Sequence, residues 1–66
     1  DKYSELWEYV RAKNRLSLEL SFEQILEIAK IPIDHSFLTS KKQLLSYGFR
    51  VEKIIIREQK VIFKKV

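Results

Sequence analysis

Gly48 is the only glycine in the chain, and it stands between two different hydrophobic patterns. Before it, apolar residues recur mostly three and four apart, the spacing of one helix face. After it they fall at Val51, then in the β-branched run Ile54 to Ile56, then from Val61 to Phe63. Glycine reaches the left-handed conformation that ends many helices without steric cost, so Gly48 predicts a helix stop followed by strands. At 66 residues the surface-to-volume ratio permits one core. The expected architecture is therefore a single α+β domain over residues 1–66.

Tyr3, Leu6, Trp7 and Val10 share one helical face and predict a first helix from residue 2 to about 13, with Asn14 at its end. Leu16, Leu18 and Leu20 alternate with polar residues, which predicts a short strand with one buried face. Ser21 and Gln24 have capping-box spacing, and Phe22, Ile25, Leu26 and Ala29 form a stripe behind them, so a second helix spans about 22 to 30. Pro32 disfavours helix at Ile31, and Asp34 suits a new helix start, leaving a tight turn over 31 to 34. Phe37, Leu38, Leu44 and Leu45 carry a third helix over about 35 to 47, with Ser40 and Gln43 offering a later alternative start.

The polar stretch Arg57 to Lys60 makes the last two strands a hairpin. A two-residue turn at Glu58 and Gln59 would pair Arg57 with Lys60, Ile56 with Val61, Ile55 with Ile62, Ile54 with Phe63 and Lys53 with Lys64. The inner face would carry Ile54, Ile56, Val61 and Phe63, and Val51 joins it only through a bulge near Glu52 and Lys53. The outer face would carry Lys53, Ile55, Arg57, Lys60, Ile62 and Lys64, with like charges directly opposed.

The order α-β-α-α-β-β with a C-terminal β-hairpin resembles the winged helix-turn-helix superfamily over nearly the whole chain. That resemblance implies a third helix that enters the DNA major groove and a hairpin, or wing, that touches the backbone or minor groove nearby. A closer resemblance is to a family of small bacterial domains of unassigned function. It runs through Lys2-Tyr3, Leu18-x-Leu20-Ser21-Phe22-Glu23-x-Ile25, Pro32-Ile33-Asp34-His35-Ser36-Phe37-Leu38 and Tyr47-Gly48-Phe49-x-Val51. Many members carry an aromatic, basic insertion with paired tryptophans before the third helix. This chain lacks it, so a ligand role of that insertion does not carry over.

Charge is divided unevenly. Residues 1–33 hold five cations against six acids, a net of −1, whereas residues 34–66 hold eight cations against three acids, a net of +5. The relief of opposed cations by a polyanion makes the outer hairpin face a candidate phosphate contact. The alternative is protective: lysines guard an exposed hairpin against edge-to-edge aggregation, and Ile55 and Ile62 cover each other. Thr39, Lys42 and Gln43 lie away from the apolar stripe of the third helix, with Lys41 at its boundary, and can donate to phosphates or base edges. Arginine is missing from that helix face, which favours weak sequence selectivity.

Other chemistries find little support. Asp34, His35 and Ser36 have the residue types of a nucleophilic triad, yet adjacent helix positions point about 100° apart and do not converge. Glu23 and Glu27 share a helix face without a histidine beside them, and a single glycine builds no phosphate loop. The expectation is a non-enzymatic domain without cofactor, metal or small-molecule substrate. The absence of cysteine suits a reducing cytoplasm, and no segment approaches the roughly 20 apolar residues of a membrane span. The expected partner is double-stranded DNA, held by Thr39, Lys41, Lys42, Gln43, Lys53, Arg57, Lys60 and Lys64. The alternative is a protein partner or a second copy, seated on Ile55 and Ile62.

Overall fold

In the computed structural model, which describes residues 2–66, three helices cover one face of a three-stranded antiparallel sheet. Helix α1 spans Ser4–Lys13, strand β1 Ser17–Ser21, α2 Phe22–Ala29 and α3 His35–Ser40. A 3₁₀ segment over Lys41–Tyr47 follows, then β2 over Phe49–Ile55 and β3 over Lys60–Lys65. Among the described residues no helix is long and apolar enough to cross a membrane.

The aromatic residues of the chain's start meet at the centre of the core. Leu6, Trp7 and Val10 line the inner face of α1, and Tyr3 is buried just before it. Tyr3 packs edge-on against Phe37 at 5.2 Å between ring centroids, and Trp7 lies 5.8 Å from the same ring. Such tilted and edge-to-face pairs place the positive ring edge against the negative face of the neighbour. The Tyr3 hydroxyl donates toward the Pro32 carbonyl at 3.1 Å, with an Asp34 carboxylate oxygen at 3.2 Å. One residue thereby joins α1 to the corner between α2 and α3.

The local signals act as their chemistry requires. Asn14 takes the left-handed conformation at the end of α1, φ 50°, and its N–H donates to Val10. The Ser21 hydroxyl accepts the Gln24 N–H while the Gln24 side chain accepts the Ser21 N–H, so both free donors at the α2 start are satisfied. Asp34 accepts the Ser36 N–H at the start of α3. Gly48, φ 88°, closes the 3₁₀ segment.

The third helix departs from the expectation of one element over 35 to 47. It is α-helical only to Ser40, then tightens to three residues per turn. Residues three apart eclipse in this geometry, so Lys41, Leu44 and Tyr47 form the inward line. Leu44 is buried, and Lys41 and Tyr47 are half-buried. Leu45, which an α-helix would have turned inward beside Leu44, is exposed. The Ser46 hydroxyl donates to the Gln43 carbonyl three residues back, a bond that fits the tighter winding.

The hairpin register is shifted from the expected one. Ile55 faces Lys60, Ile54 faces Val61, Lys53 faces Ile62, Val51 faces Phe63 and Arg50 faces Lys64. A two-residue turn of the favoured mirror type needs positive φ at both central residues, which Glu58 and Gln59 resist. The chain instead makes a four-residue loop, Ile56 to Gln59, closed by the Gln59 N–H on the Ile56 carbonyl, in which only Gln59 is left-handed, φ 52°. Ile56, expected in the core, therefore sits in the loop and is 70 % exposed. The bulge falls at Glu52, between Val51 and Lys53, and returns Val51 to the inner face.

Strand β3 is the central strand and pairs antiparallel with both neighbours. Across the inner face run the rows Leu18, Phe63, Val51 and Leu20, Val61, Ile54, the first two of each buried and the third half-buried. Leu16 stands before β1 and is 80 % exposed, so the strand buries two leucines rather than three.

Candidate nucleic-acid interface

The outer face of the sheet follows from the same register. Its three rows are Ser17, Lys64, Arg50; then Glu19, Ile62, Lys53; then Ser21, Lys60, Ile55. The bulge keeps Arg50 in phase with Lys53, so Arg50 joins this face although the sequence patterning did not single it out. Its position could have been found by placing the bulge at Glu52 and following the alternation back toward Gly48.

The expected ladder of opposed cations is dissolved by this two-residue shift in pairing. Lys53 faces Ile62 rather than Lys64, and Lys60 faces Ile55 rather than Arg57. The like-charged pair that remains is Arg50 with Lys64, and Arg50 is held by the Glu52 carboxylate. Ile55 and Ile62 no longer oppose each other. They are half-buried diagonal neighbours, each set against a lysine.

Lys60 is the most constrained of the basic residues. Its ammonium lies 2.9 Å from Glu58 and 3.0 Å from Glu19, which bridges the hairpin loop to β1. Hydrogen bonding to Glu58, then to Glu19, raises its pKa above the usual 10.5 against a smaller opposing effect of burial. A phosphate approaching Lys60 must displace two carboxylates.

Other cations are free of such partners. Lys53 and Arg57 are exposed, Lys64 is half-buried, and none of the three is ion-paired among the described residues. The same holds for Lys41 and Lys42 in the 3₁₀ segment and for Lys65. Thr39 is exposed in the last turn of α3, and Lys42 and Gln43 are exposed just after it. These groups divide into two sets: Lys53 and Lys64 on the outer sheet face, Thr39 to Gln43 in the helical layer. Arg57 belongs to neither set and stands exposed on the hairpin loop.

The acids of the C-terminal half are all engaged. Asp34 pairs with Lys2 at 3.3 Å, Glu52 with Arg50 and Glu58 with Lys60. The Ser36 hydroxyl foremost, then the Ser36 N–H and the Lys2 ammonium, hold the Asp34 carboxyl at about 2, below its ordinary 3.8. Asp34 is thus committed to the start of α3, where it also receives the Ser36 hydroxyl. His35 beside it is exposed.

Compared with known proteins, the chain matches no family model, no curated protein and no solved structure.

Proposed function

We propose that this chain is a winged-helix nucleic-acid-binding domain that holds double-stranded DNA chiefly through its phosphates, with weak sequence selectivity. The observation that carries the proposal is a local charge imbalance. Six cations of the C-terminal half have no carboxylate partner among the described residues, while each of the three acids there is taken. Unmatched cations of this kind favour an anionic partner by releasing its condensed counterions.

Element order and strand order support the winged-helix assignment: two helices meet at the Pro32 corner, and the hairpin follows them as one side of the sheet. Arg57 on the hairpin loop and Lys42 and Gln43 after α3 are the groups nearest in role to wing and helix contacts. The α-helical part of the third helix is six residues long, and the 3₁₀ winding that follows gives poor alignment along a major groove. Phosphate contact is less demanding of that geometry than base readout.

Fluorescence anisotropy with a labelled duplex across a salt series tests the proposal. Binding should weaken steeply with salt, and Lys53→Glu with Arg57→Glu should flatten the slope of log K against log salt by about 2, one contact for each charge lost. No binding at low salt, or an unchanged slope in the double variant, rejects it.

A further inference from the structure

We infer that this domain associates weakly with copies of itself, head to tail, by seating the Leu16 end of one molecule in an apolar groove of the next. The inference is independent of nucleic-acid binding.

The groove lies beside the hairpin loop. Phe22, Ile33, Leu38, Ile54 and Ile56 line a depression of about 320 Å³. A second depression of about 300 Å³ shares the walls Phe22 and Ile33 and extends to Leu26 and Glu23. Ile56 is 70 % exposed and Leu38 51 % exposed, so the groove has projecting apolar lips as well as an apolar floor. Apolar surface gathered in a concavity in this way marks a binding surface more than scattered leucines do.

The complementary surface is at the other end of the sheet. Leu16 precedes β1 and is 80 % exposed. The Lys65 N–H donates to the Leu16 carbonyl, the Val66 N–H to the Gly48 carbonyl and the Gly48 N–H to the Leu45 carbonyl, each at 3.0 Å. These bonds bring the exposed Leu16 and Leu45 to the same end of the molecule, a strand's length from the loop that carries Ile56.

Charge selects a second copy as the occupant. Glu23 lines the groove and Glu27 lies one helical turn further along α2, both exposed and without an ion-pair partner among the described residues. Arg15 and Lys65 flank Leu16, also exposed and without such a partner. An acidic groove and a basic apolar knob on one chain fit each other between molecules. Because the two surfaces differ, the contact is heterologous and adds subunits without closing at a dimer.

Sedimentation equilibrium without nucleic acid tests this. The average mass of the wild type should rise with concentration up to about 1 mM and pass that of a dimer. Leu16→Asp and Leu38→Asp, both at exposed positions, should each stay monomeric with an unchanged circular dichroism spectrum. An equal mixture of the two should stop at a dimer, since one intact knob meets one intact groove. Glu23→Lys with Glu27→Lys should weaken association about tenfold, and Arg15→Glu with Lys65→Glu should restore it in that background. A wild type that stays monomeric throughout overturns the inference. So does self-association of Leu16→Asp equal to wild type, which would indicate groove-to-groove packing, or a mixture that remains monomeric.

Discussion

The Gln59 carbonyl accepts the Phe22 N–H at 2.8 Å, which fixes the hairpin loop to the first turn of α2. The bond satisfies one of the free donors at a helix start with a backbone group from 37 positions along the chain. It also requires the loop to hold Gln59 at φ 52°. Gln59→Val should destabilise the domain by about 1–2 kcal/mol, because a β-branched residue resists left-handed geometry, whereas Gln59→Gly should change stability by less than about 1 kcal/mol. Urea unfolding of the two variants separates these outcomes.

Phe37 is the meeting point of α3 with Tyr3 and Trp7. Phe37→Ala should cost about 3–5 kcal/mol, comparable to the whole stability expected for a core of this size. The variant should therefore be largely unfolded at 25 °C by near-ultraviolet circular dichroism, where the wild type shows fixed aromatic signals.

Acid should loosen the start of α3 through Asp34. Its carboxyl is held at about 2 in the folded chain against an ordinary 3.8, so the unfolded chain binds more protons between those values. The stability Asp34 contributes is full above its unfolded pKa and falls as the pH drops from about 4 toward 2. Asp34→Asn should flatten the stability profile in that window. An unchanged acid limb in the variant would show that Asp34 carries none of it.

Lys60 should behave as a structural cation. Its raised pKa means that its contribution is complete below 10.5 and is lost as the pH climbs through the higher folded value. If phosphates are held by unpaired cations, Arg57→Gln should reduce the salt slope of DNA binding by about 0.9, and Lys60→Gln by less than about half of that. Equal reductions would place Lys60 at the phosphates in spite of Glu19 and Glu58.

The parts of the fold visible in the sequence are those decided within a few residues. Ser21 with Gln24, Asp34, Asn14 and Gly48 each satisfy or end a helix by local bonding, and each acts at its expected position. The register of the hairpin depends on a balance that spacing does not contain: the loop accepts four residues with one left-handed centre in place of two residues with two. That two-residue shift took Ile56 out of the core and Arg57 off the outer face. The bulge was foreseeable because Val51 had to be brought inward, and its site at Glu52 in turn put Arg50 on the outer face. The winding of residues 41 to 47 was illegible for another reason, since Leu44 and Leu45 satisfy an α-helical stripe equally well until the sheet selects one of them.

The strand order has a consequence for how the chain is made. β1 and β2 do not touch within the sheet; each is hydrogen-bonded only to β3, which leaves the ribosome after both. During synthesis the helices can form as they emerge, but no pair of strands can join until Lys60 to Lys65 are available, and β1 must then close across some forty intervening residues. Assembly of the sheet is therefore held back until β3 has been made, when a single segment completes both halves of the sheet at once.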